Sequence, residues 1–531
     1  MITLSYRISG GDFDTGGLAT RQLKEQLARI GVGAAAMRRA MIASYEAEMN
    51  VVIHARTGTL WARLDSGKLD LEIADEGPGI PNVALALREG WSTASDKARA
   101  MGFGAGMGLP NIRRNSDLFD IETRVGRGTR IRSTILLGTA VSAAADLAVG
   151  FEAVTATQER CRKCMRCIFA CPTGAVRVHA AGPDIRTGLC VGCTACFGEC
   201  RSGVYGIRET AAGALPTPPE EAVLVITRGF LSSISLGGAD RVLAALRSFG
   251  FSEVRLLEEW TEALRAEARA AAVSGSAPMP LIPPTCPAVV ELVESRFPSL
   301  MPNLGPWLSP IEAAGEEFPL RPVFLLAACA AQYKLVQRES VTDRLTALSP
   351  ACLSEAVRGC ASRTDAGRPQ LRAFRGEPER APGELVVSGV RHVMRVLAMA
   401  EAGALPGVTL LDLSLCDAGC SGSPLLSDVP CLDLRGQEGR PGGPLAQSDA
   451  AAVRRSRPYT QRAGLRLDPD MGAAIRTLGK IDALTRALPG RDCGACGAPS
   501  CALFAEDVIL GRADHAACPH ATCPGFMEET R

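Results

Sequence analysis

Cysteine placement constrains this chain more than any other feature. Of its 531 residues 20 are Cys; none precedes residue 161, and eight then fall within forty residues. They form two runs, CRKCMRCIFACP and CVGCTACFGEC, each spacing its thiols as C-x2-C-x2-C-x3-C. Disulfide partners tend to spread along a chain, whereas thiols packed this densely in a reducing compartment hold metal. With only 5 His beside the 20 Cys, iron–sulfur chemistry is favoured over zinc, because thiolates are the natural ligands of those clusters. Zinc, which four thiolates also suit, is the alternative.

Length and charge bound the rest. At roughly 100–200 residues per domain, the chain holds about three or four domains. Apolar residues make up 47% and charged residues 22%, the balance of an ordinary globular protein, so disorder of the whole chain is excluded. Lys plus Arg (58) nearly cancel Asp plus Glu (57), so no polyanion-binding surface is implied and nucleic acid is not an expected partner. The opening MITLSYRISGGDFD has no basic-then-apolar signal pattern. The uncharged stretch Ser133 to Ala145 is 13 residues, too short for a bilayer span. The expectation is a cytoplasmic protein with no membrane span.

Changes of pattern divide the chain into four modules and a linker. Residues 1–140 lack Cys and alternate helix-like and strand-like patterns; residues 155–208 are the compact Cys-rich insert. Residues 219–435 read as α/β, with strand-like AVLVI and VTLLDLSL between amphipathic helices. A Gly/Pro/Arg-rich linker covers 436–465, and a second Cys-rich piece covers 466–531.

In the first module, ASYEAEMNVVIHA reads as a helix that places Glu46 and Asn50 one turn apart on one face. A strand-like LDLEIADEGPGI then brings Asp75 to a Gly/Pro loop. WSTASDKARAMGFGAGMGLPNI is a Gly-rich loop entering a helix, a geometry that presents backbone N–H groups to phosphates, and VGRGTRI follows. The order of these four elements resembles the GHKL ATPase superfamily, most closely the serine kinases that act as anti-sigma or partner-switching factors, over residues 1–137. The resemblance implies that Asn50 ligates Mg2+, that Glu46 orients or activates the attacking oxygen, and that Asp75 accepts from the adenine amino group. Gly77 and Gly79 would shape the adenine loop, Gly104, Gly106 and Gly108 would line the phosphate lid, and Thr129 would close the adenine pocket. His54 shares the Asn50 face and is assigned no role. The alternative is the same fold kept as a dimerisation or docking module.

The doubled C-x2-C-x2-C-x3-C spacing resembles bacterial two-cluster ferredoxins, in which the fourth Cys of each run ligates the other cluster. That implies one 4Fe–4S cluster on Cys161, Cys164, Cys167 and Cys200, and another on Cys190, Cys193, Cys196 and Cys171. The second run has Arg201 where the first has Pro172.

Farther on, GGADRVLAALRSFGFSEV, PPTCPAVVELVESRFPSLMPNL, LLAACAAQYK and LSLCDAGCSGSP resemble the large-subunit domain of FeFe-hydrogenases. The matching cysteines, Cys286, Cys329, Cys416 and Cys420, would hold a 4Fe–4S cubane, with Cys420 at the position that bridges to a two-iron subsite. The surroundings depart from that family. Thr285 stands where a proton-relaying Cys is expected, and Gln332 stands at the position of a Lys that contacts the diiron unit, with Lys334 two residues displaced. Ser414 replaces a Met. A neutral amide lacks the charge of an ammonium, and a hydroxyl is far less acidic than a thiol, so fast proton reduction and a diiron subsite are not expected.

The last Cys-rich piece, DCGACGAPSCALFAEDVILGRADHAACP, spaces Cys493, Cys496, Cys501 and Cys518 as C-x2-C-x4-C-x16-C. It resembles the small 4Fe–4S domain of corrinoid iron–sulfur proteins and electron-transport subunits, which implies a fourth cluster. Cys352, Cys360, Cys431 and Cys523 are left without a role, although Cys523 lies close enough to Cys518 to substitute as a ligand.

The fold class that follows is multidomain α/β: a GHKL α/β sandwich, a ferredoxin-type two-cluster insert, an α/β hydrogenase-like domain and a small α-rich C-terminal iron–sulfur domain. The function that follows is a redox- or hydrogen-responsive regulator, coupling cluster state to ATP binding or to serine phosphorylation of an anti-sigma-antagonist type of partner. The alternative is an ATP-gated electron-transfer oxidoreductase with a redox partner protein; an active hydrogenase comes third. Analogy with the kinase-like family implies a homodimer, and an anaerobic host is the expected setting.

Overall fold

The computed structural model describes residues 1–13, 15–94, 104–137, 153–208, 217–233, 239–275, 277–337, 345–361, 381–417, 419–426, 451–460, 462 and 466–520. Most of the expected linker, part of the Gly-rich lid, Cys431 and Cys523 lie outside the described residues.

The N-terminal unit is built on β1 (Ile2–Ser9), α1 (Leu18–Arg29), α2 (Ala34–His54), β2 (Thr57–Leu64), β3 (Lys68–Asp75), α3 (Gly108–Arg114), β4 (Leu118–Arg124) and β5 (Gly128–Leu136). The strands form an antiparallel sheet in the order β1-β2-β3-β5-β4. Alternation sets its faces. Leu60, Ala62 and Leu64 of β2 and Leu69, Leu71 and Ile73 of β3 are buried, and they pack against Leu23 and Leu27 of α1, Met37 and Met41 of α2, and Ile112 of α3. The residues between them, such as Arg63 and Glu72, face outward and pair across strands.

α1 begins without a side-chain cap of its own, at Gly17. Its free N–H groups are instead satisfied from α2. Glu48 accepts from the N–H groups of Gly17, Ala19 and Thr20 and from the Thr20 hydroxyl, at 2.7–3.0 Å. A buried carboxylate at a helix N-terminus is favoured by the helix dipole, so Glu48 ties the two helices together.

The Cys-rich insert contains two antiparallel pairs, β6 (Val154–Ala156) with β9 (Tyr205–Ile207) and β7 (Val176–His179) with β8 (Gly182–Ile185). Two short helices, α4 (Arg166–Ala170) and α5 (Ala195–Glu199), occupy equivalent places in the two Cys runs.

The next unit carries a parallel sheet in the order β11-β10-β12-β13, formed by β10 (Val223–Ile226), β11 (Glu253–Leu256), β12 (Val323–Leu326) and β13 (Leu345–Leu348). Every residue of VLVI and VFLL is buried, the continuous apolar run that a parallel strand covered on both faces requires. A second parallel pair joins β14 (Glu384–Ser388) to β15 (Leu410–Ser414). Around these sheets lie α6 (Glu258–Ser274), α7 (Pro287–Arg296), α8 (Ala330–Val336) and α9 (Val390–Glu401).

The C-terminal stretch supplies α10 (Met471–Ala487) and α11 (Cys501–Ile509). α10 serves two cores. Its first half puts Met471, Ala474, Ile475 and Leu478 among the buried residues of the N-terminal unit, and its second half puts Ile481 and Leu484 against Ala498, Phe504 and Ala505. Among the described residues no helix is long and apolar enough to cross a membrane.

Candidate functional site

The helix expected around Glu46 and Asn50 is α2, and both side chains face the start of α3. Gly108 opens α3 so close to them that a Cβ there would lie 3.2 Å from Asn50 Oδ1 and 3.3 Å from Glu46 Oε2. Glu46 Oε1 accepts from Asn111 Nδ2 at 2.6 Å, and burial pushes the Glu46 carboxyl above the usual range, with Asn111 opposing. Asn111 carried no motif of its own; its only signal is a polar side chain one turn into the helix after the Gly-rich loop. Asn50 Nδ2 is buried without a hydrogen-bond partner. An orphaned amide beside a carboxyl and a bare glycine fits a site for a polar ligand carrying a hydrated cation.

At the other end of α2, Asp75 closes β3. Its Oδ1 accepts from Gly77 N at 2.8 Å and from Thr129 N at 3.3 Å, while burial raises its carboxyl. The structure therefore gathers Asp75, Gly77 and Thr129 on one point. Gly79, at φ +70°, lies against the Arg124 carbonyl, where a Cβ would collide. The Thr129 hydroxyl lies 3.1 Å from that of Thr123. Burial lowers the His54 imidazole, and the nearby Asp75 charge opposes this, so α2 spans from the Glu46 end of the site to the Asp75 end. Gly104 and Gly106 both adopt positive φ, and the Gly106 carbonyl accepts from Gly90 N at 3.1 Å.

In the insert, the two Cys runs share backbone conformation as well as spacing. Lys163 and Gly192, Met165 and Thr194, and Gly174 and Gly203 are matched positions with positive φ. Met165 and Thr194 are non-glycine residues held in the left-handed region, each turning the chain between the second and third Cys of its run. The Cys167 thiol is flanked by Cys161, Cys164 and Cys200, and the Cys196 thiol by Cys193, Cys171 and Cys190, with Cys167 beyond. Two four-thiol sets, each with its fourth member from the other run, fit a pair of cubanes. Burial pushes the Cys193 and Cys196 thiols well up, so an inorganic group that takes them as thiolates also displaces their protons.

Cys286 and Cys329 sit at the N-caps of α7 and α8, far apart in sequence and facing each other. Cys416 faces Cys329, Cys420 and Cys286, so the four thiols expected from unlike contexts come together. Burial pushes the Cys329 thiol up to about 12, against amide donors from Gln332 and Ala331. Gln332 is fully buried; its Oε1 accepts from Ala328 N at 2.7 Å and its Nε2 points at Cys420 Sγ at 3.5 Å. Thr285 donates to Asp412 Oδ1 at 3.1 Å, and Arg265 binds the other oxygen at 2.8 Å. Lys334 faces away from this group, to the Cys190 carbonyl and Glu291, both at 2.8 Å. Ser414 holds the Cys416 carbonyl at 3.4 Å. This group also abuts the insert: Cys193 is a charge neighbour of both Cys329 and Cys416. Gly192 makes that approach possible, since a Cβ there would lie 2.5 Å from Ala331 N.

Cys493, Cys496, Cys501 and Cys518 line one surface cavity with Arg491, Phe504 and His520. The loop they share rests on the insert. A Cβ at Gly494 would lie 2.8 Å from the Phe169 ring, Val178 N donates to the Gly497 carbonyl at 2.9 Å, and Arg177 forms a buried ion pair with Asp507. Cys352 stands outside all four groups, and among the described residues no three His, Cys, Asp or Glu side chains converge as a single metal ion would require.

Comparison with known proteins finds similarity in four separate stretches of the chain. The profile of the histidine kinase-, DNA gyrase B- and HSP90-like ATPases matches residues 21–139, and that of the 4Fe-4S binding domain matches residues 154–177. The iron only hydrogenase large subunit, C-terminal domain, matches residues 234–318, and an Fe–S cluster profile matches residues 488–520. Over 121 residues the chain is 32% identical to the serine/threonine-protein kinase RsbT of Bacillus subtilis, covering 22% of this chain and 85% of RsbT. Over 98 residues it is 32% identical to the anti-sigma F factor of Caldanaerobacter subterraneus subsp. tengcongensis, covering 18% of this chain and 65% of that protein. Among solved structures it resembles a variant of the FeFe-hydrogenase HydA1 from Chlamydomonas reinhardtii, at 13% identity and a TM-score of 0.33, over 48% of this chain and 97% of that one.

Proposed function

Since the chain belongs, through residues 21–139, to the histidine kinase-, DNA gyrase B- and HSP90-like ATPase family, we propose that it is an iron–sulfur regulatory protein whose cluster state sets the behaviour of an ATP site. In this reading Asn50 ligates Mg2+, Asp75 accepts from the adenine amino group, and the partner is a regulatory protein of the anti-sigma-antagonist type. Glu46 positions the partner's serine hydroxyl and takes its proton as the oxygen bonds to the γ-phosphorus; the bond to the β-phosphate breaks, and ADP leaves with the electron pair. A carboxyl raised by burial suits that role as a base. Clusters on the four Cys groups would supply one-electron redox chemistry. Fast proton reduction is no part of this activity, because Gln332 and Thr285 offer an amide and a hydroxyl where charge and an acidic thiol are needed.

The observation that carries this reading is α10, a single helix buried in both the ATPase core and the core of the C-terminal Cys group. A helix shared by two cores passes a shift in one to the other. The test is the ATP affinity of anaerobically reconstituted protein, oxidised and dithionite-reduced, with Asn50→Ala as the blank. A several-fold difference supports coupling; equal affinities refute it.

A second reading, ATP-gated electron transfer, is favoured by the placement of Cys193 beside Cys329 and Cys416, which makes the insert continuous with the hydrogenase-like group. Reduction of that group by a low-potential ferredoxin, strictly dependent on ATP hydrolysis, would select it.

A further inference from the structure

Resting on the regulatory reading, we infer that helix α1 is the element through which the hydrogenase-like and C-terminal units both act on the nucleotide site. Two helices lead to it, each starting beside an expected cluster ligand. α9 is N-capped by Gly389, where a Cβ would meet the Asp417 carboxylate, and Asp417 adjoins Cys416. Its 12 residues run about 18 Å at 1.5 Å per residue and end at Glu401. There Glu401 forms a buried ion pair with Lys24 of α1 and accepts from Ser299, while the Lys24 ammonium lies 3.9 Å from the centre of the Phe297 ring. α11 starts at Cys501 and carries Glu506, which binds Arg29 of α1 at 2.6 Å. The Arg29 carbonyl in turn accepts from Leu467 N at 2.8 Å, just ahead of α10.

From α1 the route to the site is short. Its first turn hangs from Glu48, which lies on α2 between Glu46 and Asn50. A cluster held at Cys416 or Cys501 would, on taking one electron from a low-potential donor such as a reduced ferredoxin or dithionite, add a negative charge beside the start of α9 or α11. At Cys416 that charge repels the Asp417 carboxylate packed against Gly389. α9 at its last residue and α11 past its midpoint hold ion pairs with little access to water, and such pairs do not loosen by degrees; losing one partner leaves an uncompensated buried charge. Lys24–Glu401 and Arg29–Glu506 therefore act as two-position contacts that pull on α1, and through Glu48 on the register of Glu46 and Asn50. By linkage, nucleotide must shift the reduction potentials in return.

The test uses the full-length, anaerobically reconstituted protein and a fluorescent ATP analogue. Dissociation constants are measured in the oxidised and dithionite-reduced states for the wild type, Lys24→Met, Arg29→Met and the double variant, with iron content as a control. The wild type should show a ratio of about five-fold or more between states. Each single variant should reduce it, and the double variant should bring it to within about two-fold, with oxidised-state affinity retained. A ratio that persists in the double variant overturns the α1 route and leaves the regulatory reading standing. A wild type with equal affinities overturns both. Should the variants not fold, amide exchange of residues 18–29 in the wild type decides the matter: protection that differs between redox states supports the route, and identical protection overturns it.

Discussion

Replacing Glu48 by Gln tests how α1 is held against α2. The carboxylate is 2% exposed; Oε1 accepts from Gly17 N and Ala19 N at 3.0 Å, and Oε2 accepts from Thr20 N at 2.9 Å and the Thr20 hydroxyl at 2.7 Å. Glutamine keeps the shape but turns one acceptor into a donor. With the amide nitrogen at the Oε2 position, the Thr20 hydroxyl rotates to accept, but Thr20 N–H faces another N–H. A buried donor left unpaired costs about 1–3 kcal/mol, and the two bonds remaining at Oε1 each lose about 1 kcal/mol with the charge. The total is about 3–5 kcal/mol. At about 1.4 kcal/mol per decade, even the lower figure makes opening of the first turn of α1 roughly a hundredfold more frequent. Amide exchange of residues 17–24 in the full-length protein measures this directly, with the centre of α2 as an internal reference. Acceleration below about threefold would refute the claim that Glu48 is the cap of α1.

Other consequences follow from single contacts. Asn50→Ala should weaken Mg2+-dependent ATP binding by at least about tenfold while leaving iron content unchanged; a Mg2+ titration of analogue binding reads it. Gly192→Val places a β-branched residue at φ +64° and a Cβ 2.5 Å from Ala331 N, so it should part the insert from α8. Magnetic coupling between the reduced clusters of the two units, seen by electron paramagnetic resonance, should then weaken; unchanged splitting would count against their contact. Burial pushes the Glu294 carboxyl from 4.5 to about 7 despite Arg462 at 3.1 Å. Because the folded state holds that proton more tightly than the unfolded one, its stabilising contribution is full below about pH 4.5 and is lost as pH rises through about 7. Glu294→Gln should remove about 2 kcal/mol of the stability difference between pH 5 and pH 7.5, visible as a smaller gap between the two melting midpoints.

What could be read along the chain was whatever neighbouring residues decide between themselves. The arcs of Cys161–Cys171 and Cys190–Cys200, the i, i+4 pair Glu46 and Asn50, the alternation in LDLEIAD and the helical ALFAEDVIL are short-range patterns, set by side-chain spacing and backbone period. The structure places the Glu46–Asn50 pair on a helix, LDLEIAD in a strand and ALFAEDVIL in a helix, as expected. Asn111 lies near the end of the WSTASDKARAMGFGAGMGLPNI run, but its place beside Glu46, 65 residues away, is set by the fold.

The contacts that join the units had no such signal. Lys24 and Glu401 are 377 residues apart, and each alone reads as an ordinary charged residue on a helix. The double duty of α10 is equally silent, because its apolar positions look the same whether they face one core or two. Gln332 reads along the chain as the loss of a lysine; only the fold turns its amide onto Cys420 and sends Lys334 to the Cys190 carbonyl. Local pattern specifies which side chains are candidates to hold metal or nucleotide. Which of those sites are dry, which charges are paired and which helices carry a displacement depend on the surfaces that meet and exclude water, and only the tertiary structure decides that.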